Sequence, residues 1–227
     1  MSPATTDGVH GRAFRQGRIL FDEWYRDLTT AHATGEQAAY VFVMGSLAEI
    51  LRCFDLHVVF PEINSLQTAV KKVSDRYLSE AEDEGFSPDV CGYVKADYAL
   101  QLRDGEHPRG RIPPPAIAVL TNACNTYLKW AEIWERLYDP PIFTVDVPQS
   151  RSTADSLTGA GFDADRRYVE HQLRELIEAL ETVTGRRFDI DRFREVLRHT
   201  NEMGRHYRRV LELNAGTPAV FDAVLEG

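Results

Sequence analysis

The sequence predicts an α/β fold, a Rossmann-like and mostly parallel sheet flanked by helices and followed by a helical C-terminal segment. Two observations carry this prediction. Over the first 148 residues, short apolar runs alternate with longer amphipathic ones, and strands joined by helical connections pair in parallel. Beyond Pro148, apolar residues recur only with the helical period.

Four apolar runs are predicted to be buried strands. Each is continuous rather than alternating, which is typical of a strand covered on both faces, and each is bounded by turn or cap residues. They are "YVFVM" at 40–44, "LHVVF" at 56–60, "AIAVL" at 116–120 and "IFTVDV" at 142–147. The segment 105–115, "GEHPRGRIPPP", is too rich in Pro and Gly to be more than a connection.

Helical periodicity fills the intervals between these strands. The expected helices before Pro148 are 14–32, 47–54, 65–85, 92–103 and 124–137. Residues 149–165 are polar and are predicted to be a linker, and helices are expected at 165–184, from Asp189 or Asp191 to about Asn214, and in the final "TPAVFDAVLEG". The predicted domains are therefore an α/β cluster-binding domain at 1–148 and a linker with a helical segment at 149–227.

Composition narrows the class of protein. The formal net charge of −9 argues against nucleic acid as a partner, because phosphate binding needs clustered Lys and Arg. No apolar run approaches the roughly 18 residues of a membrane span, so no membrane association is expected. The first residues contain no apolar signal-peptide region. Three cysteines without an export signal are expected to be reduced thiols in the cytoplasm.

Two of the cysteines occupy positions that favour a metal ligand. Cys124 follows the strand at 116–120 and begins a helix, and Cys91 also begins a helix. Unpaired N–H groups and the helix dipole favour negative charge there, so a thiolate is favoured over a thiol. Zinc fits poorly without closely spaced ligand pairs, and two thiolates fall short of the usual four for an iron–sulfur cluster. The alternative is that both are inert buried side chains, an interpretation assigned outright to Cys53.

Longer motifs add a resemblance to a known family. These are "VCGYVKAD" at 90–97, "NACNTYLKWAEIW" at 122–134, "LAEILRCFDLHVVFPEINSLQ" at 47–67 and "FDIDRFREVL" at 188–197. The pattern resembles the benzoyl-CoA reductase and 2-hydroxyacyl-CoA dehydratase family, and within it the B-type subunits of benzoyl-CoA reductases. The similarity runs from about residue 14 to the C-terminus.

The resemblance implies a cofactor, partners and a reaction. It implies a [4Fe–4S] cluster with Cys91 and Cys124 among its ligands. It also implies a related second subunit, an ATP-dependent activator or other electron donor, and an acyl-CoA substrate whose thioester carbonyl receives single electrons. Glu49 matches an acidic position near the substrate and is the candidate catalytic proton carrier. The alternative for Glu49 is an ordinary helix-face glutamate.

One departure from the family pattern leaves the function open. Family members are longer, and a second α/β domain after the helical stretch supplies a further cluster-ligating cysteine. This sequence stops at Gly227 without that part. The leading expectation is a subunit, or truncated subunit, for one-electron reduction of an aromatic acyl-CoA. The alternatives are a 2-hydroxyacyl-CoA dehydratase subunit and a non-catalytic scaffold or assembly protein.

Overall fold

A parallel sheet forms the centre of the molecule. The computed structural model describes residues 11–43, 46–148 and 159–217. The strands within these ranges are Ala38–Val41 (β1), His57–Val59 (β2), Glu106–His107 (β3), Gly110–Arg111 (β4), Pro115–Thr121 (β5) and Ile142–Val145 (β6). The sheet has the order β2-β1-β5-β6, and each of its pairs is parallel, with Tyr40 opposite both Val59 and Ala118. The predicted fold class and the four predicted strands are confirmed.

Helices lie on both sides of this sheet. They are Arg12–Thr34 (α1), Ala48–Leu51 (α2, continued by a 3-10 turn at Arg52–Phe54), Pro61–Val70 (α3), Ser74–Asp83 (α4), Gly92–Leu102 (α5), Asn125–Tyr138 (α6), Gly159–Thr184 (α7) and Ile190–Asn214 (α8). Among the helices of these ranges, none combines the length and the apolar character needed to cross a bilayer.

Alternation along the strands divides the core into two layers. On the side called here the α6 face, Tyr40 and Leu120 pack with Trp130 and Trp134 and with residues of α1 and α5. On the opposite side, called the α7 face, strand residues pack with α2, its 3-10 turn and α7. That layer includes Ala39, Val41, Ile117, Val119, Leu51, Phe54, Leu176 and Leu180. Both faces are therefore dry, as the continuous apolar runs predicted.

The prediction of a single helix at 65–85 is wrong, because two helices, α3 and α4, occupy this region. Lys72 adopts φ 58, a left-handed conformation that ends α3. The N–H groups of Lys72 and Val73 return to the carbonyls of Ala69 and Thr68, the arrangement of a helix C-terminal cap. The first of the two helices also starts earlier than expected, with Pro61 in its first turn.

Two predicted connections contain regular structure. Within 105–115, β3 and β4 form a short antiparallel hairpin. Of the predicted linker at 149–165, residues from Gly159 onward belong to α7, and 149–158 lie outside the described residues. The helix expected in "TPAVFDAVLEG" also lies outside them, apart from Thr217. The division into domains at 148 stays a prediction.

Candidate functional site

Cys91 and Cys124 each occupy the N-cap position of a helix. Cys124 lies three positions after the end of β5 and precedes α6, at the carboxyl edge of the sheet where open α/β folds bind ligands. Cys91 precedes α5 and is exposed, whereas Cys124 is half-buried and packs against the α6-face core. Neither thiol accepts a capping hydrogen bond. Both helix starts therefore present backbone N–H groups that no N-cap side chain binds.

A cavity of about 450 Å³ lies between the start of α5 and α6. Cys91 lines one side of it, and Asn125 and Thr126, the residues directly after Cys124, line the other. The rest of the lining is largely apolar with a few charged residues, namely Phe86, Val90, Val94, Lys129, Trp130, Glu132, Ile133 and Arg136. The cavity thus lies between Cys91 and the first turn of α6, which follows Cys124.

Hydrogen bonds between the two helices show that they run in the same direction. Asp97 of α5 accepts from Trp130 and Trp134 of α6, and farther along both helices Gln101 accepts from Tyr138. Because these pairs advance together from N- to C-terminus, the two N-caps lie at the same end of the helix pair. Cys91 and Cys124 are consequently on one side of the molecule, as a shared site requires.

The electrostatics of these helix starts favour an anion. Neither α5 nor α6 has an acidic residue in its first turn, whereas α3, α4 and α8 each have one. The positive ends of the two dipoles are therefore not offset by a carboxylate of the helix's own first turn. Lys129 also lines the cavity, although Glu132 binds its ammonium at 2.7 Å.

Two thiols supply only part of a cluster's ligands. Soft thiolate donors at helix N-termini fit iron in an iron–sulfur cluster. Over the residues that the structure describes, no group of three or more His, Cys, Asp or Glu side chains could hold a metal ion. The donor set therefore fits two ligands of such a cluster, and any remaining ligands would have to come from outside the described residues.

Glu62 is a candidate that sequence reasoning missed. It lies in the first turn of α3, directly after β2, and is half-buried. Its Oε1 accepts a hydrogen bond from the Tyr127 hydroxyl and its Oε2 accepts one from the Val43 N–H, each at 2.5 Å. Glu62 therefore connects the carboxyl ends of β1 and β2 to the first turn of α6. An acidic residue in "FPEIN", immediately after a predicted strand, was the available signal.

The structure places Glu49 on α2, within a different set of contacts. Its Oε1 accepts a hydrogen bond from the Thr200 hydroxyl of α8 at 3.3 Å, and its neighbours Leu47 and Ala48 pack on the α7 face. Cys124 packs on the opposite face of the sheet. The catalytic role of Glu49 stays a prediction.

Cys53 is buried, as expected for an inert thiol. It belongs to the α7-face core, and its Sγ donates to the Glu49 carbonyl at 3.2 Å. Burial raises the pKa of the Cys53 thiol, which disfavours the thiolate that a metal needs. Trp130 and Trp134 are likewise core residues, with 1% and 0% exposure.

Together, the parallel sheet and the two thiols at N-cap positions define an α/β protein with a candidate thiolate metal site at one end of a helix pair. A family model described as 2-hydroxyglutaryl-CoA dehydratase, D-component, matches residues 45–225. The chain belongs to this family of benzoyl-CoA reductase and 2-hydroxyacyl-CoA dehydratase subunits. The resemblance inferred from the motifs is confirmed.

Curated relatives come from both branches of the family. The B-type subunit of benzoyl-CoA reductase from Thauera aromatica is 34% identical over 206 residues, which cover 89% of this chain and 46% of the relative. The (R)-2-hydroxyisocaproyl-CoA dehydratase alpha subunit of Clostridioides difficile is 30% identical, over 74% of this chain and 40% of the relative. The (R)-phenyllactyl-CoA dehydratase alpha subunit of Clostridium sporogenes is 29% identical, over 76% of this chain and 41% of the relative. The chain thus spans less than half of the length of each of these three relatives.

Proposed function

We propose that this chain is the cluster-binding part of a subunit that performs one-electron reduction of an aromatic acyl-CoA thioester, with Cys91 and Cys124 as two ligands of a [4Fe–4S] cluster. The observation that carries the proposal is that both thiols lie at the same end of the α5–α6 pair, where Cys91 lines a largely apolar cavity and Cys124 directly precedes the lining residue Asn125. The similarity to a benzoyl-CoA reductase supports reduction.

The chain's own residues would place and shield the group. Cys91 and Cys124 would supply thiolates, and the N–H groups of the two first turns would face the negative charge. Val90, Val94 and Ile133 would keep water from the cavity side. When bound, such a cluster supplies single electrons at low potential to a thioester carbonyl.

Glu62 places a carboxylate at the same edge of the sheet. Its carboxylate already accepts from the Tyr127 hydroxyl and the Val43 N–H, so its position is fixed by two elements. A carboxyl at such a place can donate to, or accept from, an oxygen of a bound acyl group. Glu49 is the second candidate for the proton carrier, and its neighbours Leu47 and Ala48 pack on the opposite face of the sheet.

A dehydratase is the second candidate function. It is favoured by the description of the matching family model and by relatives that are dehydratase alpha subunits. In both reactions the electron comes from a separate protein, an ATP-dependent activator or other electron donor, and enters the thioester carbonyl. In reduction, further electrons and protons enter the ring, whereas in dehydration water leaves and the electron is returned.

A related second subunit is the proposed partner, and α8 offers a surface for it. Met203, Tyr207 and Leu211 follow one another at four-residue intervals on α8 and are 65%, 58% and 49% exposed. Such a stripe of large apolar side chains is typical of a helix that packs against another protein surface. A scaffold or assembly role remains the alternative if the chain binds partners but catalyses neither reaction.

Anaerobic reconstitution with iron and sulfide tests the cluster. Wild type should take up both and develop a broad absorption at the boundary of the visible and ultraviolet, while Cys91→Ser and Cys124→Ser should lose it. Cys53→Ser is the matched control, because this thiol is buried on the α7 face and should leave uptake unchanged. Equal iron retention in all four proteins would show that the thiols are not ligands.

Substrate assays of the complete complex separate the two reactions. With a strong one-electron donor present, benzoyl-CoA should lose its aromatic absorption if the complex is a reductase. Conversion of a 2-hydroxyacyl-CoA to the 2-enoyl-CoA, with no consumption of benzoyl-CoA, would instead establish the dehydratase. Cluster uptake without either conversion would support the scaffold.

A further inference from the structure

A buried carboxylate connects the two helices that carry the candidate thiols. Asp97 of α5 is 0% exposed. Its Oδ2 accepts from the indole N–H groups of Trp130 at 2.7 Å and Trp134 at 2.8 Å, and its Oδ1 accepts from the Gln101 amide at 2.9 Å. Both indoles belong to α6. One carboxylate therefore binds two directed donors from the neighbouring helix.

This arrangement is costly, so packing alone does not account for it. Its three described donors are neutral, and burial raises the pKa of the Asp97 carboxyl. An apolar side chain of similar volume would fill the same space without the cost of removing a carboxylate from water. What the carboxylate adds is direction, because indole donors fix the position and rotation of the rings that carry them.

The position of this contact along the two helices allows it to influence the distance between the thiols. Asp97 lies six residues after Cys91, and Trp130 lies six residues after Cys124. At 1.5 Å per residue, each tie is about 9 Å along its helix from the N-cap. Trp134 and the bond from Tyr138 to the Gln101 side chain tie the helices farther along. Ties at two levels fix both the spacing and the angle of the helices.

We propose that Asp97 is a positioning residue, which through Trp130 and Trp134 sets the separation of Cys91 and Cys124. The importance of that separation rests on the proposed function, because it matters only if the thiols bind one cluster. The separation itself exists without any cluster and can be measured in the metal-free protein.

Three variants weaken the contacts between Asp97 and the two indoles to different extents. Asp97→Ala leaves two buried indole N–H groups without their acceptor. Asp97→Asn keeps one oxygen that can accept from both indoles, but its amide N–H₂ replaces the oxygen that accepts from the Gln101 amide. Trp134→Phe removes one donor and leaves the cavity intact, because Trp130 lines the cavity and Trp134 does not belong to its lining. Leu180→Ala, in the α7-face core, is the control, because it lowers stability but leaves the hydrogen bonds of Asp97 in place.

The distance between the thiols is the direct measurement. In the metal-free chain with Cys53→Ala, nitroxide labels on Cys91 and Cys124 give a distance distribution from the dipolar broadening of the continuous-wave electron paramagnetic resonance spectrum. Asp97→Ala should roughly double its width, since a ligand pair without its supporting contacts loosens on the ångström scale. Trp134→Phe should broaden it less, and Asp97→Asn should restore most of the wild-type width.

A second measurement addresses the cluster. Asp97→Ala should lose iron to a chelator roughly tenfold faster than wild type, as removal of supporting contacts weakens metal sites. If wild type takes up no iron, the proposed function fails while the label distances still decide the role of Asp97. An unchanged distribution in Asp97→Ala, or equal broadening in Leu180→Ala, would overturn the proposal. Should Asp97→Ala not fold, Trp134→Phe and Asp97→Asn decide it by the same measurement.

Discussion

Replacing His107 with glutamine should remove a specific part of the protein's acid sensitivity. His107 is 5% exposed, and its ring lies parallel to Tyr25 with centroids 5.0 Å apart. Nε2 lies 3.1 Å from the Asn64 carbonyl and Nδ1 accepts from the Arg109 N–H at 3.2 Å. The neutral ring protonated at Nε2 satisfies both contacts, whereas a second proton at Nδ1 would face another donor.

The size of the effect follows from the pKa of this histidine. Burial, together with the positive charge of Arg109, lowers the pKa of His107 from 6.5 to about 4, although the Asn64 carbonyl acts in the opposite direction. The unfolded chain therefore binds more protons between these values, so stability is complete above about pH 6.5 and falls as the pH drops toward 4. At about 1.4 kcal/mol per pKa unit, the loss amounts to about 3 kcal/mol.

Urea unfolding of wild type and His107→Gln, measured from about pH 7 to about pH 4, checks this value. Glutamine can still donate to the Asn64 carbonyl but does not titrate, and all other groups are common to both proteins. The stability advantage of wild type over the variant should therefore shrink by about 3 kcal/mol across this range. Parallel curves for the two proteins would show that the buried histidine does not resist protonation.

The remaining predictions concern the site and the core. Glu62→Gln should cost about 1–3 kcal/mol in urea unfolding, because an amide N–H₂ replaces one of two accepting oxygens, while Tyr127→Phe should cost less; equal costs would contradict the geometry. Gly105→Ala should lower the melting temperature by the equivalent of at least about 2 kcal/mol, because φ is +70° and a Cβ would lie 2.1 Å from the Ile112 carbonyl oxygen. Leu180→Ala, at 0% exposure, should cost about 2–5 kcal/mol in the same assay, and a cost below about 1 kcal/mol would show that α7 does not seal the sheet.

Continuous apolar runs made the sheet predictable, because a strand buried on both faces has few polar residues. The break between α3 and α4 was not predictable in the same way, since Lys72 gives no local signal for a left-handed conformation. The hairpin of β3 and β4 was hidden by the Pro and Gly around it. Its position depends on contact with α1, where the Thr29 hydroxyl accepts from the Arg111 N–H.

Of the candidate site, the sequence pattern indicated only the two thiols. Cys91 and Cys124 drew attention as thiols at helix starts, and the structure places both at one end of a parallel helix pair. Asp97, in the same "VCGYVKAD" motif, carries no local signal of its role, because nothing near it in the sequence indicates that two tryptophans 33 and 37 positions away will bind it. Such contacts between distant segments depend on tertiary packing, and the periodicity of a single segment does not predict them.

Cysteine as an N-cap has a consequence for local opening of the chain. Ser, Thr, Asp or Asn at this position stabilises a helix start by typically about 1 kcal/mol, as Asp189 does for α8 by accepting from the Asp191 and Arg192 N–H groups. Cys91 and Cys124 forgo that contribution at α5 and α6. Amide hydrogens in these two first turns should therefore exchange sooner than those at the start of α8, and an anion bound there would slow them. A bound anion would therefore stabilise these two turns more than it would stabilise the start of α8, which the Asp189 side chain already caps.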